Sequence, residues 1–445
     1  MRNDFYFLLS LFIGSVGLIP ISFAATVDDA NYTIEEYVTG LSSPTTMTFV
    51  GDDILVLQKN DGKVRLVHDG ILQNDPVLDL PVSNNSERGL LGIESVGNDI
   101  YLFYTESDVD GGEPLGNRVY KYHWNGTNLQ NPTLLEDLPV TPGSNHNGGV
   151  LAKNSDGDIF TIIGDLNRNG ILQNYSTGDP DNTSVILPVD PSGSILAMGI
   201  RNSFGLGFDS LTGKMWDTEN GPASYDEINL VTPNFNSGWE AIMGPATQEE
   251  IDSLPGFEDF VYSDPEFSWE DTIAPTALIF TNSTLFADYS DSLFVGACNN
   301  GMIYKFDLNQ NRDGFVFSNP ELSDLVLDIG DDPTEIQWGS GFGCITDMEM
   351  GPDNYLYVVS LSSGKIYRIL PSNACDLTAL GTWVISESCR LYSDFVSPQG
   401  ILVQNNSVLT IPDGITLTVP SGQNLTIKFG SGVLIKNGGA LIINS

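Results

Sequence analysis

The sequence predicts an all-β fold, a six-bladed β-propeller followed by a small, solenoid-like C-terminal β-repeat module. Three observations support this. From Tyr32 to about Leu370, short apolar and aromatic strands end at Gly, Asn, Asp or Pro. A turn–strand–turn–strand pattern recurs there without a long amphipathic helix. After residue 398, strands recur about every eight to ten residues between glycine-containing turns.

The recurring pattern in the first part of the chain is typical of propeller blades. N-D-G-K-V-R-L-V and G-P-D-N-Y-L-Y-V-V-S-L-S-S-G-K-I-Y-R-I are two instances. Units of about 40–60 residues built only from strands favour a propeller, and roughly 340 residues suit six large blades. A β-sandwich split into two domains is the alternative. The best candidate for a short helix is 246–254.

Residues 1–24 have the pattern of a secretory signal peptide. A basic start precedes an apolar stretch from Phe7 to Ile21, and a small-x-small cleavage site precedes Ala25. Two glycines and a proline interrupt the apolar stretch, which favours a cleaved signal over a retained anchor. No later segment has eighteen consecutive apolar residues, so we expect a secreted, extracellular or cell-surface protein without an integral membrane segment.

The cysteines and the glycosylation motifs agree with export. Four cysteines are an even number, as expected in an oxidising compartment. Cys375 and Cys389 are close in sequence and are predicted to pair, which leaves Cys298 for Cys344; four reduced, buried thiols are the alternative. Candidate N-glycosylation sequons begin at Asn31, Asn84, Asn125, Asn174, Asn182, Asn282, Asn405 and Asn424.

The chain is strongly acidic, with 58 acidic and 18 basic residues and a net charge of −40. This composition excludes nucleic acid as a partner, because phosphate binding requires Lys and Arg. It favours solubility in a salty exterior and permits binding of divalent cations. A solvated acidic surface accounts for most of the carboxylates, so only those at specific turns are functional candidates.

The segment P-V-T-P-G-S-N-H-N-G-G (139–149) contains the leading catalytic candidate, His146. Imidazole is the side chain best suited to exchange protons near neutral pH. Gly148 and Gly149 would let a backbone or a flat ligand approach it closely. Asp165, on the I-I-G-D turn, is the candidate partner that orients the ring. A histidine bonded to backbone and an ordinary turn aspartate are the alternatives.

Five motifs follow one another in an order that resembles the glucose/sorbosone dehydrogenase family over about residues 36–370. They are S-E-R-G-L-L-G-I (86–93), S-N-H-N-G-G-V-L (144–151), I-I-G-D (162–165), G-I-R-N-S-F-G-L-G-F-D (199–209) and W-D-T-E-N-G-P-A-S-Y-D-E-I-N-L (216–230), the last followed by N-S-G-W (236–239). The resemblance implies a six-bladed propeller that holds pyrroloquinoline quinone (PQQ) and calcium at the mouth of its axis.

The resemblance also implies roles for individual residues. Oxidation of a sugar at its anomeric carbon removes a hydroxyl proton while hydride leaves for an electrophilic carbonyl, and a neutral histidine is a suitable base. That role falls to His146, supported by Asp165. Arg201 and Asn202 match a pair near the quinone oxygens, where a guanidinium stabilises negative charge; an ion pair is the alternative for Arg201. Glu87 falls where the family often has a polar residue facing the substrate.

The D-T-E-N-G-P-A-S-Y-D-E-I-N-L segment is predicted to bind cations, because calcium takes carboxylate and carbonyl oxygens in flexible geometry. The resemblance implies that the carbonyls of Gly221 and Pro222 face the calcium of the cofactor. It implies a second, structural calcium at Glu227 and the carbonyl of Ser237. A polar turn without metal is the alternative.

The chain departs from the family where basic residues bind the carboxylates of the quinone. A W-K-G-like turn reads G-A-C-N-N-G (296–301), and an R-x-R-D-like strand start reads G-C-I-T-D-M (343–348), where Cys344 and Thr346 replace the arginines. Each missing contact would forfeit roughly 1.5–3 kcal/mol toward a tricarboxylate. Cys298 and Cys344 occupy these two turns, so a disulfide would lie where basic residues otherwise meet the cofactor.

The expected function is quinone- and calcium-dependent oxidation of a sugar or polyol by the propeller, residues 25–370. Residues 371–397 are expected to form a linker with the Cys375–Cys389 disulfide. Residues 398–445 are expected to form a cell-surface attachment or assembly module, because their strands leave an edge that could pair with another chain. The alternatives are a non-catalytic, calcium-stabilised extracellular propeller for binding or surface attachment, and calcium-dependent hydrolysis of a lactone or ester.

Overall fold

A computed structural model describes residues 24–168, 182–257, 259–281, 283–412, 414–436 and 438–444. Regular structure in these ranges is almost entirely β-strand. The predicted signal peptide, apart from Ala24, and the sequons at Asn174 and Asn282 lie outside the described residues. In the ranges given above, no helix has both the length and the apolar character needed to cross a membrane.

Six β-sheets follow one another along the first part of the chain. Sheet 1 contains Pro44–Val50, Asp53–Gln58, Lys63–His68, Ile71–Leu72 and Leu78–Asp79. Sheet 2 contains Leu90–Val96, Asp99–Ser107, Pro114–Trp124 and Leu129–Leu138. Sheet 3 contains Leu151–Lys153, Ile159–Ile163, Val185–Asp190, Ala197–Met198, Phe235–Asn236 and Val261–Tyr262.

The next three sheets have the same arrangement. In all six sheets, the first strand named is the innermost one, and the order within sheets 5 and 6 ends with a strand from the start of the chain. Sheet 4 contains Ser203–Phe208, Met215–Glu219, Asp226–Val231, Phe267–Trp269 and Val326–Leu327. Sheet 5 contains Pro275–Phe280, Ser292–Ala297, Ile303–Asp307, Gln337–Ser340 and Thr26–Val27. Sheet 6 contains Ile345–Met350, Leu356–Ser360, Lys365–Pro371 and Tyr32–Thr39.

The innermost strands of the six sheets form a closed ring. Each contacts the innermost strand of the sheets before and after it, and Ile345–Met350 of sheet 6 contacts Pro44–Val50 of sheet 1. Tyr32–Thr39 forms the outer edge of sheet 6, where it pairs antiparallel with Lys365–Pro371. Sheets packed around an axis in this way form a β-propeller. The predicted all-β class and the propeller are therefore confirmed.

Hydrophobic side chains fill the space between neighbouring sheets, and one such cluster lies between sheets 4 and 5. Phe267 and Trp269 alternate with Ser268 along one strand, so their rings lie on the same face. Both are completely buried, and the ring centroids of Phe267 and Phe306 are 4.9 Å apart. Burial of each such side chain contributes about 1.5–3 kcal/mol, which holds adjacent sheets together.

The C-terminal part is solenoid-like, as predicted. Three parallel sheets contain Trp383–Ile385, Ile401–Val403 and Leu425–Ile427; Cys389–Arg390, Val408–Ile411 and Gly432–Ile435; and Phe395–Val396, Thr416–Val419 and Ala440–Ile443. Ile401 pairs with Leu425, 24 residues later, so three short strands complete one turn. Most of the side chains enclosed by these turns are apolar, and Val403, Leu409 and Leu417 are fully buried.

Two disulfides join the pairs expected from the sequence, Cys298 with Cys344 and Cys375 with Cys389. The first links the turn after Ser292–Ala297 of sheet 5 to the start of Ile345–Met350 in sheet 6.

The helix predicted at 246–254 is present as Gln248–Ser253. Thr247 caps the N-terminus of this helix. Its hydroxyl accepts the N–H of Glu250, and the Glu250 carboxylate accepts the N–H of Thr247. Two short 3₁₀ helices span Thr284–Tyr289 and Pro320–Leu322.

Two carboxylates on the innermost strand of sheet 6, Asp347 and Glu349, make stability depend on pH. Burial raises the pKa of Asp347, although Oδ2 accepts the Met47 N–H at 2.7 Å. Burial, and the charges of Asp347 and Glu94, raise the pKa of Glu349. A group with a raised pKa binds more protons when folded than when unfolded, so stability falls as pH rises from the ordinary carboxyl pKa through the raised value.

We therefore expect a higher thermal midpoint near pH 5 than near pH 8. Asp347→Asn should stabilise the protein at pH 8 by about 1–3 kcal/mol, because it removes a partly buried charge and keeps an acceptor for Met47, and by much less at pH 5. Calorimetry at the two pH values measures both effects. The exposed Asp52→Asn is the control, and equal effects of the two variants at pH 8 would contradict the prediction.

Candidate active site

A cavity of about 660 Å³ opens at one end of the propeller axis. Each sheet contributes to its wall through the segment before or at the start of its innermost strand. Five of the predicted site residues line it together: Glu87, His146, Arg201, Asn202 and Gly221. The volume is typical of a small-molecule site.

His146 and Asp165 form a buried pair at this cavity. The imidazole Nδ1 lies 2.5 Å from Asp165 Oδ1, and Asp165 is completely buried. Burial alone would raise the pKa of Asp165, but hydrogen bonds from His146, Trp239 Nε1 and the Asn167 N–H hold it below its ordinary value. An ionised Asp165 accepts the Nδ1 proton, so the unprotonated nitrogen of a neutral ring is Nε2.

The glycines near His146 allow three backbone segments to meet behind the cavity. His146 itself has φ 61°, in the left-handed region. Gly164, next to Asp165, packs so tightly that an added Cβ would lie 2.3 Å from the Arg201 carbonyl oxygen and 2.6 Å from that of His146. Only glycine fits this position, which brings the segments carrying the base, its partner and the arginine side by side.

Arg201 is held in place by hydrogen bonds to Glu219 and Asn220 and by the ring of Trp239, while its Nε–H has no partner among the described residues. Its N–H donates to Glu219 Oε1 at 2.6 Å, and Nη1 donates to the Asn220 carbonyl at 2.6 Å. The guanidinium lies 5.1 Å from the ring centroid of Trp239. Arg201 Nε and Asn202 Oδ1 are buried and have no hydrogen-bond partner in the protein. A donor and an acceptor are therefore available to a ligand.

The Gly-Pro turn is only partly in the cavity. Gly221 lines it, and its N–H donates to Asp226 Oδ1 at 2.8 Å. The other oxygen of Asp226 accepts the N–H groups of Ile273 and Ala274 at 2.6 and 2.8 Å. Asp226 thus fixes the turn against the start of sheet 5. Pro222 is exposed and is not part of the cavity wall.

Glu227 and Ser237 lie away from the cavity, buried between sheets 3 and 4. Glu227 Oε1 accepts the Gly244 N–H at 2.5 Å, and the Ser237 hydroxyl donates to Glu219 Oε2 at 2.6 Å. Burial raises the pKa of Glu219 to about 7 and that of Glu227 well above its ordinary value. Among the described residues, no three His, Cys, Asp or Glu side chains are grouped to hold a metal ion.

The wall nearest sheets 5 and 6 contains the disulfide and no basic side chain. Cys298, Asn299, Cys344 and Thr346 line it. The basic residues in the lining are Arg201 and Lys59, and the Lys59 Nζ donates to the Ser86 carbonyl at 2.6 Å.

Sequence analysis missed three residues that hold the site together: Trp239, Glu219 and Asp226. Trp239 Nε1 donates to Asp165 Oδ2 at 2.8 Å. All three lie within motifs that were singled out, W-D-T-E-N-G-P-A-S-Y-D-E-I-N-L and N-S-G-W. The available signal was therefore their position in these motifs, but most of their partners, such as Asp165, Arg201 and Ile273, belong to other segments.

Comparison with known proteins places this site in a family. The family model for glucose/sorbosone dehydrogenases matches residues 41–368. The aldose sugar dehydrogenase YliI of Escherichia coli K12 is 26% identical over 390 residues, which is 80% of this chain and 98% of the relative.

Two solved structures show the same fold. The structure of the soluble aldose sugar dehydrogenase of Escherichia coli in its apo form is 22% identical in sequence and has a TM-score of 0.61. The match covers 76% of this chain and 99% of that one. The structure of the PQQ-bound aldose sugar dehydrogenase of Streptomyces coelicolor is 19% identical in sequence and has a TM-score of 0.58. The match covers 77% of this chain and 99% of that one. Since the family model spans most of its length, the chain belongs to the glucose/sorbosone dehydrogenase family.

Proposed function

We propose that this protein is an exported, PQQ- and calcium-dependent oxidoreductase that oxidises a sugar or polyol. We also propose that each of sheets 1–6 is one blade of a six-bladed propeller. The observation that carries the proposal is the His146–Asp165 pair, which lies at the same cavity as Arg201. Family membership, and a relative whose structure contains PQQ, support the choice of cofactor. The two disulfides and the predicted signal peptide support export.

Each residue at the cavity has a different role in the proposed reaction. His146 Nε2 accepts the proton of the substrate hydroxyl, and Asp165 holds the ring in the required tautomer and stabilises the imidazolium that forms. Arg201 places a fixed positive charge at the wall, where it stabilises negative charge that develops on an oxygen. The bound quinone supplies an electrophilic carbonyl that accepts hydride.

The cavity fits such a cofactor in size and polarity. Its volume is about 660 Å³, and the unpartnered Arg201 Nε and Asn202 Oδ1 match the carbonyl and ring groups of a flat polar ligand. The charge balance is less favourable, because Cys298, Asn299 and Cys344 occupy a wall without basic groups. A divalent cation beside the quinone would offset its carboxylates.

Calcium is part of the proposal at two places. The carbonyls of Gly221 and Pro222 would bind the ion that accompanies the quinone, since carbonyl oxygens are suitable calcium ligands. Glu227 and the carbonyl of Ser237 would hold a structural ion. Buried acceptors support the second place, because among the described residues Asn229 Oδ1 has no donor and the fully buried carboxylate of Asp217 accepts no hydrogen bond of good geometry.

Titration of the purified protein with PQQ and calcium, followed by a dye-reduction assay with aldoses, tests the function. We expect quinone binding at micromolar concentration and sugar-dependent reduction of the dye. Arg201→Gln should weaken quinone binding by about 10–100-fold, because a hydrogen bond to a charged group contributes about 1.5–3 kcal/mol. Arg118→Gln, on the outer part of sheet 2, is the control. Absence of binding at micromolar PQQ would overturn the proposal.

The second candidate is a non-catalytic, calcium-stabilised extracellular propeller, attached to the cell surface through residues 398–445. The disulfide wall favours it, because Cys298 and Cys344 line the cavity where the resemblance expects cofactor-binding cations. It predicts that calcium raises the thermal midpoint without any redox activity, and that deletion of 398–445 releases the protein from cells.

A further inference from the structure

Glu87 contacts two other residues of the site at once. Its Oε2 accepts the backbone N–H of His146 at 2.5 Å and an Nδ2–H of Asn202 at 3.2 Å. Each of these residues lies before the innermost strand of a different sheet. Glu87 precedes the strand of sheet 2, His146 precedes the strand of sheet 3, and Asn202 precedes the strand of sheet 4. One carboxylate therefore joins three consecutive sheets at the mouth of the cavity.

The backbone of His146 depends on this contact. Its φ of 61° lies in a region that costs a non-glycine residue roughly 1–3 kcal/mol, so surrounding contacts must maintain it. Glu87 accepts the N–H of this buried residue, so its removal would leave a buried donor unsatisfied, which is costly. The N–H of Glu87 in turn donates to the Ser144 carbonyl at 3.2 Å, which fixes the same segment a second time.

Arg88 holds the beginning of that segment. It is 8% exposed, and its Nη2 donates to the carbonyls of Val140 and Gly143 at 2.7 and 2.9 Å. Asp165, in contrast, bonds the imidazole of His146 and not its backbone. The ring is thus oriented by Asp165, while its point of attachment is set by Glu87 and Arg88.

We propose, building on the function proposed above, that Glu87 is a positioning residue that fixes His146 relative to Asn202. The resemblance implied a residue that faces the substrate, whereas these contacts tie the base to the Arg–Asn pair. The two roles predict different kinetics, because loss of a binding contact raises KM while loss of positioning lowers kcat. A displacement of about 1 Å in the reacting groups can cost on the order of 10²-fold in rate.

The experiment compares Glu87→Ala, Glu87→Gln and Glu87→Asp with Glu249→Gln, which changes an exposed glutamate in the helix Gln248–Ser253. We expect Glu87→Ala to lower kcat by about 10–100-fold while KM stays within about threefold of wild type. Glu87→Gln keeps one acceptor oxygen but turns an NH₂ toward a donor, so its loss should be intermediate. Glu249→Gln should match wild type.

A second readout does not depend on activity. The chain has three histidines, so the Nδ1 proton that His146 shares with Asp165 can be identified in the NMR spectrum by its loss in His146→Gln. We expect this resonance to shift or broaden in Glu87→Ala and to stay in place in Glu249→Gln. Glu87→Asp and Glu87→Gln provide the same test if the alanine variant does not fold.

Three results would overturn the inference. They are a kcat within about twofold of wild type in a folded Glu87→Ala, a raised KM with unchanged kcat, and an unshifted His146 resonance. If the wild-type protein oxidises no sugar, the proposed function fails, and the resonance alone then decides whether Glu87 positions His146.

Discussion

Replacing His146 with glutamine is expected to lower kcat by about 10²–10⁴-fold, the usual contribution of a general base. Glutamine retains much of the size and polarity of the ring, but it cannot accept a proton from the substrate hydroxyl. Arg201 and the rest of the cavity remain, so quinone affinity should change by less than about threefold. The measurement is dye reduction at saturating PQQ, calcium and aldose.

The matched control is His123→Gln, because the side chain of His123 is 47% exposed and lies on the outer part of sheet 2. It should behave as wild type. Asp165→Asn should also lower kcat, since an asparagine amide would favour the wrong tautomer of the ring. A His146→Gln variant that keeps most of its kcat would show that the base lies elsewhere.

Removing the disulfide at the cavity is expected to lower the free energy of unfolding by about 2–4 kcal/mol. The double variant Cys298→Ser with Cys344→Ser opens a loop between residues 46 positions apart. A crosslink restricts the unfolded chain more when its loop is longer. The same bond also holds the turn of sheet 5 against the start of sheet 6 at the cavity wall. Urea denaturation followed by tryptophan fluorescence measures the loss.

The second disulfide provides the comparison. Cys375 and Cys389 are separated by 14 positions, so Cys375→Ser with Cys389→Ser should destabilise the protein less. Because Cys375 and Cys389 do not line the cavity, this pair should also leave quinone binding unchanged. An equal or larger loss of unfolding free energy from the Cys375/Cys389 variant would contradict the prediction.

The fold could be predicted from the sequence because its main signals are local. Alternation of apolar and polar residues identifies strands, and the spacing of short strands after residue 398 identified the solenoid-like part. Closure of the ring could not be predicted in the same way. The pairing of Tyr32–Thr39 with Lys365–Pro371 joins segments more than 300 residues apart. A local sequence pattern cannot predict a pairing over that distance.

The candidate site shows the same division. His146 and Arg201 belong to scarce residue types in glycine-containing turns, and Asp165 was selected for its place on the I-I-G-D turn. The structure places the three together; their roles stay predictions. Trp239 was missed because its contact with Asp165 joins residues 74 positions apart. The carbonyl of Pro222 was assigned by resemblance alone, and the proline is exposed outside the cavity wall.

Pairing of Tyr32–Thr39 with Lys365–Pro371 also governs when the active protein can arise during biosynthesis. A nascent polypeptide cannot complete the circle until the last of these residues has emerged, so a partly synthesised chain has no finished cavity. Contacts of such long sequence separation also slow folding. Any ligand of this cavity can therefore bind only after the whole circle is complete.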